Sequence, residues 1–150
     1  MTYLLDTNIL IIYLRKQARL IYETYNPLAS PNTPLVSVVS IGELRSFALQ
    51  NQWGARRKAD LDTFVNQLAI VDINVEPIID LYAQIDAFSN GKLPSRPLGR
   101  SARNMGKNDL WIAASASYLD ATLLTTDNDF THLDTHFIKL VKMDMALFKP

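Results

Sequence analysis

Asp6 separates two apolar runs, Leu4–Leu5 before it and Ile9–Leu14 after it. A carboxylate at the seam of two buried elements is costly unless its charge is compensated. Three further stretches hold acids in comparable places: Glu43 in SIGELR, Asp109 in NDLWIAASA, and Asp127 with Asp129 in LLTTDNDF. Two charges 4 Å apart repel by about 4 kcal/mol at an effective dielectric of 20, so converged acids are relieved by protonation or by a cation. Oxygen ligands and a chain without cysteine select a hard ion, Mg²⁺ or Mn²⁺. Ions of that kind in an acid-rich cleft polarise a phosphodiester and activate water for in-line attack. The chemistry these residues suit is hydrolysis of a phosphate ester.

Strands and helices must alternate to bring the acids together. TYLL reads as a short buried strand and NILIIYLRK as a helix capped by Thr7 or Asn8. RLIYETY continues helically up to the proline-rich turn NPLASPNTP. PLVSV is a second strand, after which Ser40 is placed to cap SIGELRSFALQNQ with Glu43 in capping-box position. ARRKADLDTFVNQLA is an amphipathic helix, IVDI a third strand, and EPIIDLYAQIDAF a helix with Pro77 in its first turn. A loop from Ser89 to Lys107 precedes the Ala-rich helix NDLWIAASASYL, then strand TLLTT, a turn with a short helix, and a final strand FIKLV. Strands separated by helices predict an α/β fold, three layers α/β/α around a central mostly parallel sheet. Each acid then falls at a strand's carboxyl end or in a first helical turn, the rim where such sheets bind ligands. Taken singly, helix dipoles account for Glu43 and Asp109, and turn formation for Asp127 and Asp129. Their joint placement is what points to a site.

At 150 residues the chain is expected to form one domain, residues 1–150. Fifteen basic and fifteen acidic residues cancel, so any nucleic-acid binding must come from local clustering. The longest apolar run, Ile9–Leu14, is too short to span a bilayer, and a cytoplasmic location without a membrane partner is expected.

LLDTNILI, SIGELR, NDLWIAASA and LLTTDNDF, in that order, resemble the motifs of PIN-domain ribonucleases, and within them the VapC-type toxins of bacterial toxin–antitoxin pairs. The likeness runs from Tyr3 to about Leu140. It implies a Mg²⁺- or Mn²⁺-dependent endoribonuclease with a PIN-like fold. The family's four acids fall by motif on Asp6, Glu43, Asp109 and Asp127, with Asp129 as an additional ligand and Asn8 and Thr125 in supporting positions. A homodimer and a cognate antitoxin that blocks the cleft are also implied. Two departures stand out: PLGRSARNMGKND is longer than the usual approach to the third acid, and LRSFALQ lacks the small residue and glycine common after the second.

The Ser89–Lys107 segment holds five basic residues and no acid. Arg96, Arg100, Arg103 and Lys107 are therefore candidate RNA-phosphate contacts, against the alternative of a solvated loop. His132 and His136 read as surface residues, Trp111 as core, and the nearly all-apolar Ile9–Leu14 helix as one covered on two sides, by the fold or by a second copy. A haloacid-dehalogenase-type phosphotransferase needs an acid at position 8, where Asn stands, and a phospho-receiver needs an Asp after a central strand, which VSVVSIGE does not offer. The alternative from another class is a non-catalytic nucleic-acid or protein binding module of PIN-like fold, in which the acids bind no ion.

Overall fold

Successive side chains of the first strand enter two different hydrophobic cores, Tyr3 and Leu5 one and Leu4 the other. The computed structural model describes residues 1–148, and its five strands are β1 Thr2–Leu5, β2 Thr33–Ser37, β3 Ala69–Val71, β4 Thr122–Thr125 and β5 Lys139–Lys142. They form a single sheet in the order β3-β2-β1-β4-β5, every pairing parallel. The alternation of β1 repeats along the sheet. Val36 and Leu124 join the first core, Leu35 and Leu123 the second, as the period-two geometry of a strand covered on both faces requires.

Helices α1 Thr7–Leu14, α2 Arg19–Thr24, α3 Val38–Gln50 and α4 Ala55–Val65 send their buried apolar residues into the first core, while Val39 at the start of α3 packs on the second. Helices α5 Glu76–Ser89 and α6 Lys107–Tyr118 close the second, where Ile112, Ala113, Ala114 and Ala116 let α6 lie close to its neighbours. The result is the three-layer α/β/α architecture expected from the alternation of elements. α1 is covered within the chain, since Ile9, Leu10, Ile12 and Tyr13 are buried and Ile11 and Leu14 pack against the same core. Its apolar circumference is thus explained without a second copy. α5 stops at Asn90, where Gly91 takes φ +70 and Lys92 N–H returns to the Ala87 carbonyl at 2.8 Å.

Two caps differ from those expected. α1 is capped by Asp6 itself, whose side chain accepts from Thr7 N–H, and neither Thr7 nor Asn8 is the cap. α3 begins at Val38, capped by Ser37 through Val39 N–H, so Ser40 and Glu43 stand inside the helix and form no capping box. The β-branched pair Val38–Val39 reads locally as strand, yet it forms the first helical turn, with Val39 packed against the second core and Val38 exposed. Strand limits shift similarly: β3 begins at Ala69, earlier than IVDI suggests, and β5 begins at Lys139, later than FIKLV suggests.

The order of strands sets the position of the site. From β1 the chain moves outward to β2 and β3, then returns to the other side of β1 to lay down β4 and β5. The direction of winding therefore reverses between β1 and β4, and a crevice opens above their carboxyl ends. Asp6 follows β1 and Asp127 follows β4, separated only by Thr126 from its end.

Candidate active site

Asp6 is 4% exposed, yet both its oxygens are engaged. Oδ1 accepts from Thr7 N–H at 2.8 Å and Oδ2 accepts from the Thr125 hydroxyl at 2.7 Å. The backbone of Asp6 also donates to the Leu124 carbonyl, tying the residue to β4. Thr125 is fully buried, and its Oγ1 accepts from Asp127 N–H at 3.0 Å, so one hydroxyl joins the two strands that flank the crevice. Asp127 caps the short 3-10 turn Asn128–Leu133 through Asp129 N–H at 2.9 Å.

Glu43 reaches the same rim from α3. Thr7 Oγ1 lies 2.9 Å from both Glu43 Oε1 and Ser40 Oγ. Thr7 has a single hydroxyl proton and the carboxylate is the stronger acceptor, so Ser40 donates in turn to the Thr7 oxygen. Ser40 and Glu43 are three residues apart, hence on one face of α3. That spacing was visible beforehand, while the contact of Thr7 with it was not. Asn8, expected to support the acids, is exposed and lines a groove with Asp127 and Arg15.

Asp109 lies in the first turn of α6, and one carboxylate oxygen each from Asp109, Asp127 and Asp129 fall within 4.8 Å of one another. Burial raises the Asp109 carboxyl to about 7, with further upward pushes from Asp6, Asp127, Asp129 and Glu43. Burial likewise raises Asp6 to about 6; the Thr125 and Thr7 hydrogen bonds oppose that rise, and Asp127 and Glu43 add to it. Asp109 thus feels the charge of four other acids, which come from three further segments of the chain. The donor set of these five acids is all oxygen and strongly negative, which suits a hard divalent cation. The nearest countercharge on Asp129 is partial: Arg103 Nη2 stands 4.0 Å from its Oδ1.

The basic segment divides. Arg96 donates to the His136 carbonyl and lies over the Phe137 ring at 4.4 Å, so its guanidinium is held against the protein. Arg103 is anchored by its backbone on the Ser89 carbonyl at 2.7 Å and by Nη2 on the Asn128 carbonyl at 3.2 Å. Arg100 and Arg103 line a groove of about 490 Å³ with Asp129. Lys107 is exposed at the start of α6. His132 is buried at 2% exposure, contrary to the surface position expected, because it lies between Phe130 and Leu133, which anchor the inner side of the turn in the second core. Its Nε2 is 2.7 Å from Ser89 Oγ, which also contacts Met105 Sδ at 3.4 Å. Burial lowers His132 to about 4, and Arg103 and Arg100 add to the effect. His136 is exposed as expected, whereas Trp111 is only half-buried, packed on the core at the edge of a second groove.

Comparison with known proteins follows the same outline. The sequence profile of the PIN domain matches residues 3–135. The chain is 29% identical over 127 residues to ribonuclease VapC2 of Rickettsia felis, covering 85% of this chain and 87% of that protein. It is 26% identical over 125 residues to ribonuclease VapC1 of Haemophilus influenzae, covering 83% and 86%. Among solved structures, VapBC2 of R. felis bound to a promoter DNA fragment aligns with a TM-score of 0.75 at 25% identity, covering 96% of this chain and 100% of that one. VapBC-1 of nontypeable H. influenzae aligns with a TM-score of 0.72 at 25% identity, covering 95% and 98%.

Proposed function

The chain belongs to the PIN-domain family, and from that premise we propose that it is a metal-dependent endoribonuclease, the toxin of a toxin–antitoxin pair. The observation that supports the catalytic reading best is the approach of Asp109, Asp127 and Asp129 within 4.8 Å at the reversal point of the sheet. Asp6, Glu43, Asp109 and Asp127 are the proposed catalytic acids, and with Asp129 they hold Mg²⁺ or Mn²⁺. When bound, such an ion supplies Lewis-acid polarisation of the phosphodiester and lowers the pKa of water. The protein's own part is orientation. Thr125 and Thr7 set the Asp6 carboxylate, and Thr7 with Ser40 sets Glu43. Arg100, Arg103 and Lys107 offset the repulsion between the acids and RNA phosphates, with Arg96 at the edge of that surface.

The similarity to ribonucleases VapC1 and VapC2 supports RNA as substrate, and the VapBC complexes support an antitoxin partner. A homodimer, a single functional domain and a cytoplasmic location complete the reading; no helix among the described residues is long and apolar enough to cross a membrane. The test is to map the ends produced on total RNA by the protein and by Asp6→Asn. Defined ends that require Mg²⁺ or Mn²⁺ and vanish in the variant are expected. RNA bound but uncut with either ion would instead make the protein a non-catalytic binding module.

A further inference from the structure

We propose that the groove between α3 and α6 is a base-binding subsite for the nucleotide next to the scissile phosphate, with Trp111 as its stacking platform and Asn108 and Gln50 reading the base edge. The proposal rests on the ribonuclease reading above and adds to it a source of sequence selectivity. The groove is open to solvent and measures about 580 Å³, with Glu43, Phe47, Gln50, Ile73, Asn108 and Trp111 among its walls. That volume is within the range of small-ligand sites.

Its continuity with the acids commits it to RNA. Glu43, Phe47 and Gln50 recur at helical spacing along one face of α3, and Asn108 and Trp111 along one face of α6. Glu43 is at once an acid of the centre and a wall of the groove, and Asn108 directly precedes Asp109. A strand whose phosphate sits at the acids therefore has a neighbouring nucleotide beside these side chains. Single-stranded RNA is read by splaying a base onto an aromatic ring and bonding its edge. Trp111 is braced for that task, because Tyr82 packs against it with centroids 4.3 Å apart and planes inclined by 38°. Gln50 Nε2 donates to Ser46 Oγ at 2.9 Å, which orients the carboxamide and leaves its carbonyl oxygen and second N–H for a ligand. Asn108 is exposed and brings a second carboxamide from the facing helix. Amides that both donate and accept, around aromatic surface, match a base edge and face better than they match a phosphate.

The chain has two tryptophans, so Trp53→Phe leaves Trp111 as the sole reporter. Stopped-flow titration of that variant with short single-stranded RNA in Mg²⁺ should give saturable quenching of emission. Trp111→Leu should cost about tenfold in RNA affinity and alter the bases found beside mapped cleavage ends, with metal-dependent cutting retained. Emission unmoved by saturating RNA, or ends identical in Trp111→Leu and the native protein, would overturn the subsite. Emission that follows protein concentration and ignores RNA would assign the groove to contact between copies and also overturn it. Quenching by RNA that no form of the protein cuts would keep the subsite and remove the nuclease.

Discussion

Thr125 Oγ1 donates to Asp6 Oδ2 and accepts from Asp127 N–H, so a single hydroxyl sets the orientation of two acids that are distant in sequence. Thr125→Val keeps the shape and removes the hydroxyl, leaving a buried carboxylate oxygen without its donor. Affinity for Mg²⁺ or Mn²⁺ should fall by about 10–100-fold, as when partners of metal ligands are lost elsewhere. Thr125→Ser should restore it. Calorimetric titration of the three proteins decides the matter; equal affinities would remove Thr125 from the site. Asp6 was legible in the sequence because its neighbours are apolar, and Thr125 because it stands in a recognisable motif. The contact of Thr7 with Glu43 and Ser40 was not legible, since it joins residues more than thirty positions apart. His132 was misplaced for a related reason: a polar residue in a turn reads as exposed until the packing of the turn is known.

Among elements, the segment from Gly91 to Gly106 is tied to the body at Arg96 and Arg103, and its basic residues have distinct surroundings along its length. Arg96 is spent on the His136 carbonyl and the Phe137 ring, while Arg100 and Arg103 face the groove beside Asp129. Arg100→Ala with Arg103→Ala should flatten the slope of log affinity for single-stranded RNA against log salt by about 1.4, or 0.7 for each phosphate contact. Arg96→Ala should change that slope less. Salt titrations of RNA binding measure both, and an unchanged slope in the double variant would make the segment a structural feature only. Five strands and a mostly parallel sheet were readable from alternation and spacing, and the structure makes every pairing parallel. The helix starts were less so, because Ser37 and Ser40 are both competent caps by residue type and nothing in the local sequence chooses between them; Ser37 takes the role through Val39 N–H.

For the whole molecule, the buried acids couple stability to pH, and on the proposed metal-dependent reading also to cations. Asp6 and Asp109, raised to about 6 and about 7 from an ordinary 3.8, hold protons in the folded state that the unfolded chain has released. Their contribution is complete below the unfolded value and is lost as pH rises through the folded ones. His132, lowered to about 4 from 6.5, works in reverse, contributing above 6.5 and losing that contribution as pH falls toward 4. The two effects oppose each other below about pH 6.5, and above it the acids alone remain. Without divalent cations, the melting temperature should therefore fall between about pH 6.5 and 8, and Mg²⁺ or Mn²⁺ should restore it. Asp109→Asn should melt higher than the native protein at pH 8 and gain little from either ion. Thermal melts across pH test this, and a native protein indifferent to both pH and cation would contradict the charge coupling.

β1 occupies the middle of the sheet, and its partner β4 begins only at Thr122. A ribosome making this polypeptide must therefore release everything from β1 through β4 before Asp6 can meet Asp127. On the nuclease reading, the growing chain is harmless to its own message until β4 and Asp127 have emerged, and a truncated product lacking β4 stays harmless for good.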